Sequence, residues 1–568
     1  MKLPAMKPPT SPIVIALTLL CFVILPGAQA LSPAPDGGYP GGNTAEGQNA
    51  LLSRTTGLYN AAVGIYSLLS LTDGNFCTGV GAGTLLLNTA DSNTATGAGA
   101  LLSNTTGFGN TANGTFALFS NSTGQGNTAI GTDALLDNTT GAFNTATGFG
   151  ALVNNNTNAN TANGALALQN NTTGFANTGI GGQALQSNQV GSNNTATGFQ
   201  ALLFNTASDN TAHGYQALLN NTSGTRNTAN GVDALVFNTM GNDNTATGFT
   251  ALSSNATGSS NTADGHNALF SNVDGNDNTA TGENALGSNT SGGGNTAAGF
   301  QTLFFNVTGN NNTAVGIRAL RSSLSGDGNV AIGQEALFSN NGGFQNTAVG
   351  KGALSDNATG FDNIGVGFGA GSNLTTGNDN IDIYHNGVAG ESGTIRIGFP
   401  GIQTKTFIAG IHGATTAGAA IPVLIDANGQ LGTMSSSRRF KKEIRPMDEA
   451  SDAILALKPV TFHYKTDNSS TAQFGLIAED VAKVNPDLVV RDENDQIYTV
   501  RYDAVNAMLL NEFLKEHKAF LEEQHNVQKL EAALEAVNER LKGQEARIEK
   551  VSAQIEANKA APQMVSNQ

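Results

Sequence analysis

From Asn43 onward, small apolar and polar positions alternate in a register that repeats every 17 residues, occasionally 16. Each unit reads Asn-Thr-Ala-x-Gly-x-x-Ala-Leu-x-x-Asn-Thr-Thr-Gly-x-x, with clear copies from Asn93, Asn110, Asn127, Asn144 and Asn160, and 21 starts between Asn43 and Asn380, the last degenerate. Twenty starts carry Gly at the fifth place, as at Gly97, Gly114 and Gly131, and no proline falls between Pro40 and Pro400. A linker needs no fixed register, so a strict one means that every copy occupies the same environment. Seventeen residues are too few to bury a core alone, and copies must therefore stack on their neighbours. The repeated Ala-Leu pair, as in Ala100-Leu101, is the expected inward pair. Gly, and to a lesser degree Asn, supply positive-φ turns. Thr and Asn at fixed places are suited to hydrogen-bonded ladders between coils. Gly and Thr disfavour helix, so the pattern predicts a mainly β fold. We expect a β-solenoid or β-roll over residues 43–384, roughly 100 Å long at ~4.8 Å per coil.

The pattern then changes. Residues 394–398 and 404–411 alternate like short strands, and Ala427-Asn428-Gly429 is a hairpin turn signal between two apolar runs. A compact β stem is expected over 385–435. Residues 450–457 read as a helix that stops at Lys458-Pro459, and 460–464 as a strand. The run from Phe474 leads into a helix ending near Asn485-Pro486, residues 497–502 form another strand, and a long helix starts at about Asp503. Val527, Leu530, Leu534, Val537, Leu541, Ile548, Val551 and Ile555 advance by alternating steps of 3 and 4, with Gln544 as a polar break. That is the spacing of an α-helical coiled coil over 527–558, with a helix folded back on its own domain as the other reading. Residues 559–568 are expected to be a disordered tail.

Composition divides the chain in the same way. Of 27 Lys and Arg, 20 lie at Arg396 or later. A net charge of −16 argues against a nucleic-acid partner. Residues 1–30 have the make-up of a secretory signal: Lys2 and Lys7, an apolar run over 13–25 too short to span a bilayer, and Ala28-Gln29-Ala30 before a linker at 31–42. An uncleaved anchor is the alternative. After cleavage only Cys77 remains, which excludes an internal disulfide. No stable membrane span is expected afterwards, and the location is secreted or cell-surface. No C-terminal membrane barrel is recognisable, which disfavours a self-anchoring autotransporter. No carboxylate, aromatic or metal-ligand cluster recurs through the repeats, so neither metal nor cofactor is expected. His213 and His266 each occur in one copy and read as solvent-facing polar residues.

Candidate chemistry sits in Ser435-Ser436-Ser437-Arg438-Arg439-Phe440-Lys441-Lys442-Glu443-Ile444. A serine followed five residues later by a lysine, among Arg438, Arg439 and Lys442, is a candidate Ser–Lys dyad. Serine needs a base, and lysine acts as one only when burial or nearby positive charge lowers its pKa. A solvated Ser-rich loop is the bland reading of the bare motif. His463, in a strand pattern, and His412, in the stem, are the other candidate bases; His463 reads as a packed core or edge residue.

The wider context is more specific. Ser436 to Ile444, then Leu457-Lys458-Pro459-Val460-Thr461-Phe462, Gly475-Leu476-Ile477-Ala478-Glu479-Asp480-Val481 and Pro486-Asp487-Leu488-Val489 follow one another in an order that resembles the C-terminal intramolecular chaperone domain of phage endosialidases and tail fibres. The array, in turn, resembles the head repeats of trimeric autotransporter adhesins, whose best-known units are shorter. The chaperone resemblance implies an α+β domain over 436–526 that trimerises the chain, templates the fibre ahead of it and then cuts itself off between Ser435 and Ser436. Ser436 matches the nucleophile, Lys441 the general base and Arg439 a recurrent supporting arginine. Ser437 stands where that family usually has Asp. The expected product is a homotrimeric exported fibre, adhesin-like, with a host or environmental surface ligand as a further partner. The alternatives are an uncut trimeric structural fibre and a glycan- or ice-binding repeat protein.

Overall fold

A computed structural model describes residues 39–409, 411, 420–426, 429–433, 435–465, 471–492 and 494–559. The expected signal at 1–30, His412, the Ala427-Asn428 turn and residues 560–568 lie outside the described residues. The chain divides into two compact units, Met1–Thr406 and Phe407–Gln568.

The first unit is a parallel β-solenoid. Each coil contributes one three-residue strand, such as Thr94–Thr96 or Thr111–Asn113, and successive strands pair in parallel without slippage, Thr94 on Thr111 and Ala95 on Ala112. The sheet has 22 strands, from Thr44–Glu46 to Ile395–Ile397. The last of these was expected in the stem; instead it pairs in parallel with Ile381–Ile383 and adds a final rung. The middle residue of each strand and the Ala-Leu pair point inward, and Ala95, Ala100 and Leu101 are fully buried. One apolar core runs from Ala50 to Leu374.

The hydrogen bonds explain the repeat. Asn at the twelfth place is buried in every coil from Asn88 to Asn306. Its side-chain amide donates to the previous coil's Asn and to the Gly carbonyl three residues on: Asn221 Nδ2 lies 2.7 Å from Asn205 Oδ1 and 2.8 Å from Gly224 O. A second ladder uses the first-place Asn, whose Oδ1 accepts the backbone N–H of its successor, as Asn127 N to Asn110 Oδ1 at 3.0 Å. Glycine at the fifteenth place is a steric requirement, because a Cβ on Gly107 would stand 2.3 Å from Gly124 O. At the fifth place, Gly97 combines φ of +121° with the Gly114 backbone so near that a Cβ would approach its carbonyl carbon to 2.6 Å.

One feature departs from the expected turn chemistry. The buried Leu, not only Gly and Asn, takes a left-handed conformation, with φ of +53° at Leu101 and +51° at Leu118. Such a residue costs about 1–2 kcal/mol. The conformation is held by stacking: Leu101 N donates to Ala117 O at 2.9 Å, and Leu118 N to Ala134 O at 2.9 Å.

Beyond the solenoid, residues 404–409 form no strand, contrary to the alternating pattern; Phe407 is almost fully exposed. Val423–Ile425 and Leu431–Thr433 do form an antiparallel hairpin, but every residue of it is exposed, so this segment buries no core of its own. The second unit then supplies an α+β cluster: a 3-10 helix at Asp448–Ala456, overlapping the helix read at 450–457, paired strands Val460–Phe462 and Gln473–Gly475, the helix Ala478–Val484, paired strands Val489–Arg491 and Ile497–Val500, and the helix Tyr502–Lys559. Among the described residues, no helix is long and apolar enough to cross a membrane.

Two breaks in the twelfth-place ladder generate a prediction. Ser323 stands where Asn is the rule, and both its Oγ and the Asn306 Oδ1 are buried without a partner. Leu374 ends the ladder and leaves Asn357 Oδ1 in the same state. Ser323→Asn should raise the guanidinium unfolding free energy by roughly 1–3 kcal/mol, since it pairs groups now desolvated and unbonded. Asn221→Ala should lower it by a similar or larger amount, whereas Thr222→Ala on the outside should stay within about 1 kcal/mol.

Candidate functional site

The Ser–Lys segment is local in its structure. A single 3-10 turn, Arg438–Phe440, is closed by Phe440 N to Ser437 O at 3.0 Å and Lys441 N to Arg438 O at 3.1 Å. Ser437 N–H donates to Ser435 Oγ at 3.3 Å. The Arg439 guanidinium lies 4.7 Å from the Phe440 ring centroid, a cation–π contact that fixes its direction. Glu443 follows with φ of +52°.

Ser435, Ser436, Arg438, Arg439, Lys441 and Lys442 are all exposed. Ser436 and Lys441 make no hydrogen bond with each other, so a single chain does not bring the dyad together. His463 is exposed one residue past its strand, so of the two readings, packed core or edge, the core one does not hold. His213 and His266 are exposed as expected, with His266 stacked 5.5 Å from Phe249.

The C-terminal unit has a small core. Val481, Leu488, Val489, Val500 and Met508 are buried, with Ile454, Leu457 and Leu476 packed on them. Tyr502 Oη accepts the Leu476 N–H at 2.9 Å and ties the second strand to the long helix. A polar cluster clamps the 3-10 helix to the same helix. Buried Ser451 donates to the Glu512 carboxylate, Asn511 Nδ2 donates to Ser451 Oγ at 2.6 Å, and Lys515 Nζ bridges Asp452 at 2.6 Å and Glu512 at 2.7 Å. Around this core, large apolar side chains face outward. Phe440, Phe474, Tyr498, Leu509, Leu510 and Phe513 are all more than half exposed. Ile454, Leu455, Leu509, Leu510 and Phe513 line an open groove. The heptad positions from Val527 to Ile555 are likewise uncovered.

Residues 436–490 match the family model described as chaperone of endosialidase. The match begins at Ser436, and it follows a long β-solenoid. That combination is the organisation of a tail-fibre-like protein carrying a chaperone domain. No curated protein matches the chain.

Sequence reasoning missed a second polar cluster, at the end of the array. The third place of each coil is Ala or Gly until Asp382. That break in the consensus was the available signal. Asp382 is buried and neither carboxylate oxygen has a hydrogen-bond partner. Burial pushes its carboxyl up to about 6, nearby Glu391 adds to the rise, and Arg396 opposes it. His385 Nδ1 lies 3.7 Å from Asp382 Oδ1 but accepts the Gly387 N–H at 2.8 Å, which requires that nitrogen to be unprotonated. Burial also holds the His385 pKa below its usual value. Arg396, opposite Asp382 in the sheet register, is taken by Glu391, at 2.7 Å from Nη2 to Oε2. These side chains close the apolar core with a polar end, as terminal repeats of solenoids require.

The Asp382 carboxyl holds its proton more tightly in the folded array than in the unfolded chain. Its stabilising contribution is therefore complete below about pH 4 and is lost as pH rises through about 6. Asp382→Ala restores the residue type of the other coils. It should flatten the pH dependence of the array's melting temperature across that window and raise stability at pH 7 by roughly 2–3 kcal/mol, as read by calorimetry at a series of pH values.

Proposed function

We propose that this chain is an exported fibre protein whose C-terminal unit assembles three copies, sets the register of the β-solenoid arrays and then removes itself by one cut between Ser435 and Ser436. The observation that carries the reading is the balance of apolar surface in the C-terminal unit. Five residues form its buried core, while larger side chains such as Phe474, Leu510 and Phe513 lie open to solvent. A unit that small is marginal alone, and open apolar surface on this scale marks an interaction face. The uncovered heptads on Tyr502–Lys559 supply the matching device, since a, d strips are covered by helices of the same kind.

The chemistry fits an intramolecular cut. Ser436 Oγ attacks the Ser435 carbonyl carbon while Lys441, as the neutral amine, takes the hydroxyl proton. The peptide C–N bond breaks, Lys441 returns the proton to the Ser436 nitrogen, and an ester joins the two residues. Water hydrolyses that ester to a Ser435 carboxylate and a free Ser436 amine. The exposed positions of Ser436 and Lys441 in one chain support assembly first and cleavage second. A lysine in water keeps its proton, and only surroundings supplied by neighbouring copies would lower its affinity for it. Arg439, held against Phe440, contributes positive charge to that setting. A second reading, an uncut trimeric fibre, is favoured by Ser437 in the usual Asp place.

Intact mass of the recombinant chain tests the cut. The wild type should yield a fragment starting at Ser436, and Ser436→Ala and Lys441→Ala should stay whole with unchanged circular dichroism. An uncut wild type that remains trimeric would support the second reading. Leu534→Asp with Val537→Asp should drive the chain to monomer in sedimentation and abolish cleavage together; a cut monomer would overturn the order of events proposed.

A further inference from the structure

The repeat is its own control for surface composition. The second and fourth residues of every coil's strand region point outward on one flat parallel sheet, so neither contributes to the coil's core. From Thr94–Thr96 to Thr296–Ala298 the second place is Thr, and the fourth is Thr, Asn, His, Asp or Ala, apart from isolated Ile130 and Ile180. A short apolar pair, Val63 and Val80, stands near the start. At the other end the fourth place turns continuously apolar: Val315, Ile332, Val349, Val366, Ile383 and Ile397 on six successive rungs. Val315, Ile332, Val366 and Ile383 are 41%, 42%, 38% and 39% exposed, and Val349 is half-buried. Ile364, Ile381 and Ile395 extend the change to the second place. The coils from Thr94–Thr96 to Ile364–Val366 share one strand register, so coil folding there does not call for the switch; only the last rung, Ile381 to Ile395, closes a shorter loop, with Tyr384 in the fifth place.

We infer that this strip is where the arrays of neighbouring copies of the chain meet, and that the more N-terminal coils stand apart. The inference rests on the assembly reading above and adds which face and which coils make the contact. Size selects the occupant. Six rungs at ~4.8 Å and a width of ~10 Å give roughly 300 Å² per copy. That is well below the ~800 Å² per partner of a free-standing interface, so a separate protein would not be held. A copy already tethered by the C-terminal unit is at high effective concentration, and a small strip then suffices. Charge agrees. The chain carries a net charge of −16, yet none of the second- and fourth-place residues on these six rungs is charged, so like copies approach there without repulsion.

The test uses the full chain in a thiol-free background, Cys21→Ser with Cys77→Asn, the latter restoring the usual first-place residue. Val366→Cys and Thr247→Cys place one thiol each at the same fourth place, in the apolar strip and in the polar region. With a bismaleimide, Val366→Cys should give covalently joined arrays at least about ten-fold more than Thr247→Cys. Equal yields, or none from Val366→Cys, in a chain that sediments as an oligomer would overturn this inference and leave the assembly reading standing. A chain that sediments as a monomer would overturn both.

Discussion

Everything in the array depends on one constraint: a polar amide buried in each coil is satisfied only by its counterparts above and below. An unpaired amide in a dry interior costs several times what a paired one contributes. Each Asn therefore fixes its neighbours' register, and strand slippage would orphan the ladder along its length. The two coil lengths follow the same logic. Asn144 and Asn155 are as far apart in sequence as Asn110 and Asn121, and the shorter coil loses its residue between the twelfth place and the next Asn. There Asn160 Nδ2 reaches Asn155 Oδ1 directly at 3.0 Å. Variation is absorbed where no ladder runs.

The ladders also account for strain that no isolated coil would tolerate. A left-handed leucine in each coil from Leu51 to Leu354 costs free energy locally and is offset only when a neighbouring coil accepts its N–H and buries its side chain. Coil stability is thus almost wholly between coils. Such a structure has a costly first step, because a coil gains its stability only from a neighbour, and grows regularly once begun, the situation in which a nucleating device has most to offer. The polar end formed by Asp382, Glu391 and Arg396 marks where that regularity stops.

The C-terminal unit presents the opposite economy. Its elements are ordinary, its core is small, and its larger apolar side chains remain on the surface. Ser436 and Lys441 belong to an exposed turn held by its own backbone hydrogen bonds and by Arg439 on Phe440. Chemistry at that turn needs a lowered lysine pKa and a positioned carbonyl, and both are properties of surroundings rather than of the turn.

Much of this was legible in the sequence because periodicity is a direct record of environment. The 17-residue register, the inward Ala-Leu pair and the order of motifs from Ser436 to Val489 fixed a β-solenoid followed by a chaperone-type segment, and they did so because each copy must solve the same packing problem. Other features were not legible. Leucine was not foreseen at positive φ, since its own preference lies elsewhere and only stacked hydrogen bonds overrule it. The strand pattern of 394–398 belonged to the last solenoid rung rather than a stem, because pairing partner and not local alternation decides that assignment. The alternation of 404–409 formed no strand for want of a partner. Above all, spacing placed a serine five residues before a lysine, but distance in a chain is not distance in space; the tertiary structure leaves the two exposed and without a hydrogen bond to each other, since every residue over 435–450 faces solvent.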